Sequence, residues 1–342
     1  MLRKGPHANN GGGGCPLAYC AVQAFSEPDD YAASIRMGRT EMTLVGRGQF
    51  AARLIDINLH NLRIQRFYET LPRVAHTSLA CGHAAITFCT RAGPPLFSTG
   101  VEIRPDRIVR HGEGQEVFQR STGSACWGAI SFSIEAMMSA GATNADRDLA
   151  RPGNSLPVAP SPVAMARLQH LHAAIAALAA DTPEAFDDPE AGHSSEQALV
   201  EAVVVCLGGA EVEAGALTLQ HQGVVMRRFR RAMERHVGEP VYIPELCAEI
   251  GVSDRTLRVC CQAQLGVGPH RYLMLRRLHL ARRALLNSAP ALTTITDIAT
   301  RYGFWQFGRF AHDYRTLFGE LPSTTLARLH SSQRCIEASC RN

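Results

Sequence analysis

Between Val225 and Leu329 the chain repeats itself. Ile243, Leu246, Cys247 and Gly251 lie over Ile295, Ile298, Ala299 and Gly303 at a constant offset of 52 residues. Beyond the glycine the offset becomes 53: Leu257 falls on Phe310, Cys261 on Tyr314, Leu265 on Phe318, Gly266 on Gly319 and Pro269 on Pro322. One extra residue in the second turn accounts for the change. Such a repeat confines the region to two copies of one small unit, set side by side by whatever joins them.

Each copy reads as helix, tight turn, helix. Ile243, Leu246, Cys247 and Ile250 share one apolar helical face. Gly251 stands where the chain must reverse, at a position that tolerates positive φ. Ser253 is placed to cap the next helix, whose inner face is Leu257, Cys261 and Leu265 and whose stop is Gly266. The second copy supplies Ile295, Ile298 and Ala299, then Gly303, then Phe310, Tyr314 and Phe318, then Gly319. Two helix–turn–helix units about 50 residues apart suit a protein that places two recognition helices in DNA.

On these residues the block resembles the C-terminal DNA-binding domain of AraC/XylS-type transcription regulators. The most specific stretch runs Ile295-Thr-Asp-Ile-Ala-Thr-Arg-Tyr-Gly-Phe304, then Phe310, then Tyr314-Arg-Thr-Leu-Phe-Gly-Glu-Leu-Pro322. Gly266-Val-Gly-Pro-His-Arg-Tyr-Leu273 and the helix through Leu285 are similar to the family's connecting helix. Two positions depart from the pattern: Val259 stands where the family usually has a basic residue, and Cys261 where it has an aromatic one. Both lie in the first recognition helix. The resemblance implies an all-α DNA-binding domain over 219–329, with helix–turn–helix units at 243–266 and 295–319 joined by a long helix. Double-stranded promoter or operator DNA and RNA polymerase are the partners it implies, with an activator as the expected sense.

Position within each recognition helix names the candidate contacts. Asp254, Arg255, Thr256 and Arg258 in the first, and Trp305, Gln306, Arg309 and His312 in the second, are expected to face base edges. Ser253, Thr256 and Arg315 are better placed for phosphate. A connecting helix from about Arg271 to Asn287 would turn Arg276, Arg277, Arg282 and Arg283 outward. The helix before the first unit carries Arg227, Arg228, Arg230, Arg231 and Arg235 opposite Val225, Phe229, Met233 and Val237. Such runs are solvated faces or approaches to phosphate. Residues 221–330 hold sixteen arginines, no lysine and eight acids, a net +8 that leaves −4 for the remainder of a chain whose total is +4. A basic module behind an acidic-leaning body suits DNA binding.

From Thr43 to about Ile134 the pattern is of short strands: 50–59, 62–68, 84–89, 96–103, 107–110, 116–119 and 127–132. The neighbourhood of Ile103-Arg-Pro-Asp106 and Gly112-Glu-Gly-Gln115 resembles the cupin-like jelly-roll barrel used as a sensor by many AraC-type regulators. The layout also resembles that of the ethanolamine-utilisation regulators. The resemblance implies a small-molecule effector in the barrel, with Phe67, Phe88, Trp127 and Phe132 lining its mouth or filling its core. No cofactor is expected, and no metal. His60, His76, His83 and His111 are isolated, with no His-x-His pair among them. An enzyme or repair protein tethered to a DNA module is the alternative, and it would need a tight cysteine cluster that Cys15, Cys20, Cys81 and Cys89 do not make. A regulator governed by a protein partner is the other.

Residues 1–28, with the glycine tract Gly11 to Gly14, are expected as a disordered tail, 29–142 as the sensor, and 330–342 as a flexible tail. Within 143–218, helices over 162–180 and 197–207 flank an acidic breaker, Asp181 to Ser194. Their stripe (Leu168, Leu171, Ile175, Leu178) can serve a homodimer or pack on the chain's own β unit. Eleven cysteines, an odd number without a C-x-x-C pair, no signal peptide and no apolar run judged long enough for a bilayer suggest a cytoplasmic protein without membrane contact.

Overall fold

The computed structural model describes residues 19–135, 155–208, 211–212, 216–236, 241–288 and 293–327. The strands are β1 (Tyr19–Phe25), β2 (Gly38–Leu44), β3 (Ala52–Asn58), β4 (Leu62–Glu69), β5 (Arg73–Leu79) and β6 (His83–Cys89), with helix α1 (Pro28–Ser34) between the first two. There follow β7 (Leu96–Ser98), β8 (Val101–Glu102), β9 (Ile108–His111), β10 (Glu116–Ser121), β11 (Ala125–Ser133) and β12 (Leu156–Ala159). Helix α2 (Pro162–Asp181), a 3-10 turn (Pro183–Asp187), helix α3 (Pro189–Gly208) and the short β13 (Glu211–Val212) complete the N-terminal part. The C-terminal part is helical: α4 (Ala216–Arg235), α5 (Ile243–Ile250), α6 (Asp254–Leu265), α7 (Pro269–Asn287), α8 (Ile295–Arg301) and α9 (Phe307–Phe318).

The strands form two antiparallel sheets, one in the order β1-β3-β4-β11-β6-β9-β12-β13 and one in the order β2-β5-β10-β7-β8. This is the mostly-β, jelly-roll-like arrangement expected, built as a sandwich rather than as one closed barrel. Alternation along β11 shows how the layers arise. Ala125, Trp127 and Ala129 face the core between the sheets, while Ile130 and Phe132 face the other side of the large sheet. There α2 and α3 cover it with Leu168, Ile175, Ala179, Leu199, Val203 and Cys206. The outer face of the small sheet is covered by the helical C-terminal part. Val74 of β5 and Phe118 of β10 share a core with Val225, Phe229, Leu257 and Cys261.

Several expectations change here. Part of the tail expected to be disordered is strand β1, paired with β3 from Tyr19↔Asn58 to Phe25↔Ala52. Cys20 lies in it and its thiol donates to the Ala179 carbonyl at 3.6 Å. Residues 1–18, with the glycine tract, and 328–342 lie outside the described residues. The strand expected over 96–103 is broken in two by a turn at Thr99 and Gly100, both at positive φ. The acidic breaker is shorter than expected, because α3 already starts at Pro189. Helix α2 is, by length and composition, long and apolar enough to cross a bilayer, contrary to the reading above. Leu168, Ile175 and Ala179 of this helix are buried on the sheet, and Leu178 is exposed.

The interior of the sandwich is an apolar core with a polar cluster set within it. Arg73 pairs with Glu69 at 2.8 Å with neither side chain exposed. The Tyr31 hydroxyl and the Trp127 indole N–H both donate to Glu69 Oε1, at 2.8 and 2.9 Å, and Arg73 also reaches the Gln119 carbonyl at 3.0 Å and its side-chain amide. A buried ion pair survives only when its hydrogen bonds are met in this way. Phe67 stacks on Trp127 at 3.8 Å between ring centres. Of the four aromatics offered as lining, these two are core, and Phe88 and Phe132 face α2 and α3 instead.

Candidate nucleic-acid interface

The first helix–turn–helix unit is built from local rules. Glu245 accepts the Tyr242 N–H at 3.3 Å at the start of α5. Gly251 ends that helix at φ +72, a conformation that a side chain rarely adopts. Ser253 then caps α6, its hydroxyl accepting the Thr256 N–H at 3.1 Å. Helix α6 buries Leu257, Cys260, Cys261, Gln264 and Leu265. Its other face leaves Asp254, Arg255 and Arg258 exposed, with Thr256 half-buried against Ser253. Arg258 is held by Asp254 at 2.9 Å. Burial raises the thiol pKa values of both Cys260 and Cys261, so neither is a reactive thiolate.

The second unit repeats the design with different contents. Thr294 and Asp297 cap α8 reciprocally, at 3.1 and 3.0 Å, and the Thr294 bonds hold the Asp297 carboxyl below the usual range. Gly303 turns the chain at φ +76. Helix α9 begins only at Phe307, so Trp305 and Gln306 stand before it, Gln306 as its N-cap. The sequence had placed both inside the helix; the extra turn residue moves the helix start past them. Both are exposed, as are Arg309, His312 and Arg315. Arg309 lies 3.8 Å from Asp313. Inside, Phe304, Phe310, Tyr314 and Phe318 form a chain of ring contacts at 4.9, 5.7 and 4.6 Å. The Tyr314 hydroxyl meets Thr325 at 2.8 Å.

Two exposed apolar residues on these surfaces were not among the candidate contacts: Val259 (54% exposed), noted only as a departure from the family pattern, and Phe307 (44%). Val259 sits opposite the buried face of α6, whereas Phe307 lies on the same face as Phe310 and Tyr314, one turn before them at the helix start.

The arginine runs are corrected in part. Arg282 is only 6% exposed, paired with Glu27 at 3.0 Å and with Glu320 at 2.6 Å. Arg283 pairs with Asp29 at 2.5 Å. Both were expected to face solvent; the acidic start of α1 covers them instead. Arg230 pairs with Glu116 of the small sheet at 2.6 Å, and the Glu116 carboxyl is held down to about 2 by His76 and by Arg230. Arg228 reaches the Ile250 carbonyl at 3.4 Å, Arg235 pairs with Glu249, and Arg277 reaches the Val241 carbonyl at 3.0 Å. These six arginines therefore serve the protein's own framework.

Helix α7 joins the two units and also docks on the β part. Leu275, Leu278, Ala281 and Leu285 share a core with Tyr31, Ile35, Met42 and Phe50. His279 Nε2 accepts the Leu44 N–H at 2.8 Å, which requires the neutral ring. Burial pushes the His279 pKa down to about 4 and keeps it neutral. Beside this contact lies a cleft of about 340 Å³, lined by Glu27, Leu44, Phe50, Arg282, Phe318 and Glu320 among others.

A β-sandwich carrying two helix–turn–helix units joined by one helix defines a two-part transcription regulator with a DNA-binding domain. Comparison with known proteins identifies its family. Residues 246–328 match the model of a helix-turn-helix domain. The chain is 36% identical over 111 residues to the XylDLEGF operon transcriptional activator 2 of Pseudomonas putida, covering 32% of this chain and 69% of that one. It is 40% identical over 94 residues to the probable thc operon regulatory protein of Rhodococcus erythropolis, and there spans 28% of either chain. Among solved structures, a probable AraC family transcriptional regulator from Rhodopseudomonas palustris is 34% identical, covering 30% of this chain and 95% of that one, with a TM-score of 0.27. ToxT from Vibrio cholerae is 12% identical, covering 85% and 98%, also with a TM-score of 0.27. The chain belongs to the AraC/XylS family of transcription regulators, not to an enzyme family.

Proposed function

We propose that the protein is a sequence-specific, effector-responsive activator that sets α6 and α9 into successive major-groove segments of promoter DNA. The observation that supports this most is the exposure of Arg255 and Arg258 on α6 and of Gln306, Arg309 and His312 at α9, while other arginines of the domain are engaged internally. Guanidinium suits the paired acceptors of guanine, and the Gln306 amide suits adenine. Ser253, Thr256 and Arg315, with the helix N-termini, would fix register on phosphate. The 219–329 module would be the reader and the preceding β part the sensor; RNA polymerase and a second copy of the chain are the further partners this reading carries.

Because the sandwich interior is occupied by the Glu69–Arg73 cluster, we place effector action at the cleft beside α7. A ligand there would touch Glu27 and Phe50 on one side and Arg282 and Phe318 on the other. Differential binding to two arrangements of these parts would shift the population that can bind DNA.

The test is a titration of the full-length protein against duplexes recovered by selection from a random pool. Arg309→Ala should lose about 1–3 kcal/mol on the selected duplex and blur preference at one base pair. Equal loss on all duplexes would make Arg309 a phosphate contact. Recovery of no preferred sequence would sink the reading itself.

A further inference from the structure

The outer face of α6 is a stripe of Arg255, Arg258, Val259 and Gln262, spaced as neighbours on one side of a helix and all exposed. Val259 stands in the middle of it, one position after Arg258 and one turn after Arg255. Neither packing nor local preference accounts for a valine there. More than half of its surface faces solvent, and a β-branched residue in mid-helix gives up rotamer freedom that a straight-chain residue would keep.

We infer that Val259 reads the 5-methyl group of a thymine in the first half-site, beside the base pair addressed by Arg255. The inference rests on the DNA-binding reading above and deepens it. Thymine alone presents an apolar group on the major-groove edge. Valine offers no donor or acceptor, so facing another base it would leave that base's polar edge without a partner. The second unit makes the contrast internal to the molecule. At the repeat offset of 53, Val259 falls on His312, whose ring can donate or accept a hydrogen bond. The two half-sites are therefore unequal: the first depends on a methyl group at this position and the second does not.

The test uses the full chain and the duplex recovered by selection. Each thymine is replaced in turn by deoxyuridine, which removes only the methyl group. At one position of the first half-site the wild-type protein loses about fourfold in affinity, the factor for one methylene-sized group of about 0.8 kcal/mol. Val259→Ser, a change at an exposed site, abolishes that sensitivity, and Val259→Arg shifts the preferred base there from thymine to guanine. Absence of any deoxyuridine effect in the first half-site overturns the inference, as does an effect that survives unchanged in Val259→Ser. Failure of the selection to enrich any sequence would instead strike the DNA-binding reading.

Discussion

The two helix–turn–helix units have nearly the same backbone and are held together by different means. The second is filled by aromatic rings, with Phe310 and Tyr314 at 1% and 0% exposure and the Tyr314 hydroxyl anchored on Thr325. The first is filled by aliphatic residues, Ile243, Leu246, Ile250, Leu257 and Leu265, and by three thiols, Cys247, Cys260 and Cys261, and shares its core with Val74 and Phe118 of the small sheet. Arg120 of the same sheet donates to the Ala263 carbonyl at 3.4 Å and lies close over Gly266. Smaller side chains enclose less apolar area, and the neighbouring sheet supplies what the first unit lacks. The first unit thus packs directly on the small sheet, whereas the second joins the core of the β part through α7.

The largest expected effect tests that contrast. Phe310→Ala should destabilise the domain by about 3–5 kcal/mol, while Cys261→Ala should cost only about 1 kcal/mol, both read by urea unfolding. Equal costs would mean the thiol core is as tightly built as the ring core. Conversely, Phe118→Ala should loosen the first unit more than the second, read as hydrogen exchange in α6 against α9.

Acid gives a middle-sized effect on the second unit's side, where His279 packs edge-on against Phe318 at 5.0 Å between ring centres. The His279 pKa is lowered to about 4 in the folded chain from an ordinary value near 6.5. Below pH 6.5 the unfolded chain takes up the proton and the folded chain does not, so the stability from this group is complete above that pH. It is lost as pH falls towards the folded value. At pH 5.5 the loss is on the order of 1 kcal/mol relative to neutral pH. His279→Gln keeps an acceptor for the Leu44 N–H and removes this part of the pH dependence. Wild type and variant melting in parallel from pH 7.5 to 5.5 would contradict the assignment.

The caps supply the smallest effect. Ser253→Ala should cost about 1 kcal/mol of stability, because its hydroxyl accepts the Thr256 N–H. Gln306→Ala should cost almost none, since Gln306 caps α9 without a side-chain bond. Its loss should appear in DNA affinity alone.

The same contrast explains what could be read from sequence. The repeat was legible to the residue because glycines punctuate it: Gly251, Gly266, Gly303 and Gly319 all adopt positive φ at helix ends. Strand β5 was not legible. Its Arg73 and His76 look like surface residues, yet Arg73 is buried by Glu69 and His76 by Glu116 and Phe118. Arg282 and Arg283 misled for the same reason, because a charged stripe reads as solvated until an acidic partner distant in sequence covers it. Of the residues named from sequence as DNA contacts, all but the half-buried Thr256 are exposed. Sequence marked Val259 only as a departure from the family pattern and passed over Phe307, since an exposed apolar residue has no pattern of its own.

The most direct test of two helices reading at once is to change the distance between the half-sites. Insertion of about 5 base pairs, half a turn of duplex, between the halves of the selected site would turn the second half to the opposite face. Joint reading predicts a loss of at least about tenfold, recovered only in part by an insertion of a full turn, since under joint reading α7 would hold the two helices one turn, about 34 Å, apart. Affinity unchanged by the insertion would show that a single unit does the reading and would contradict the account.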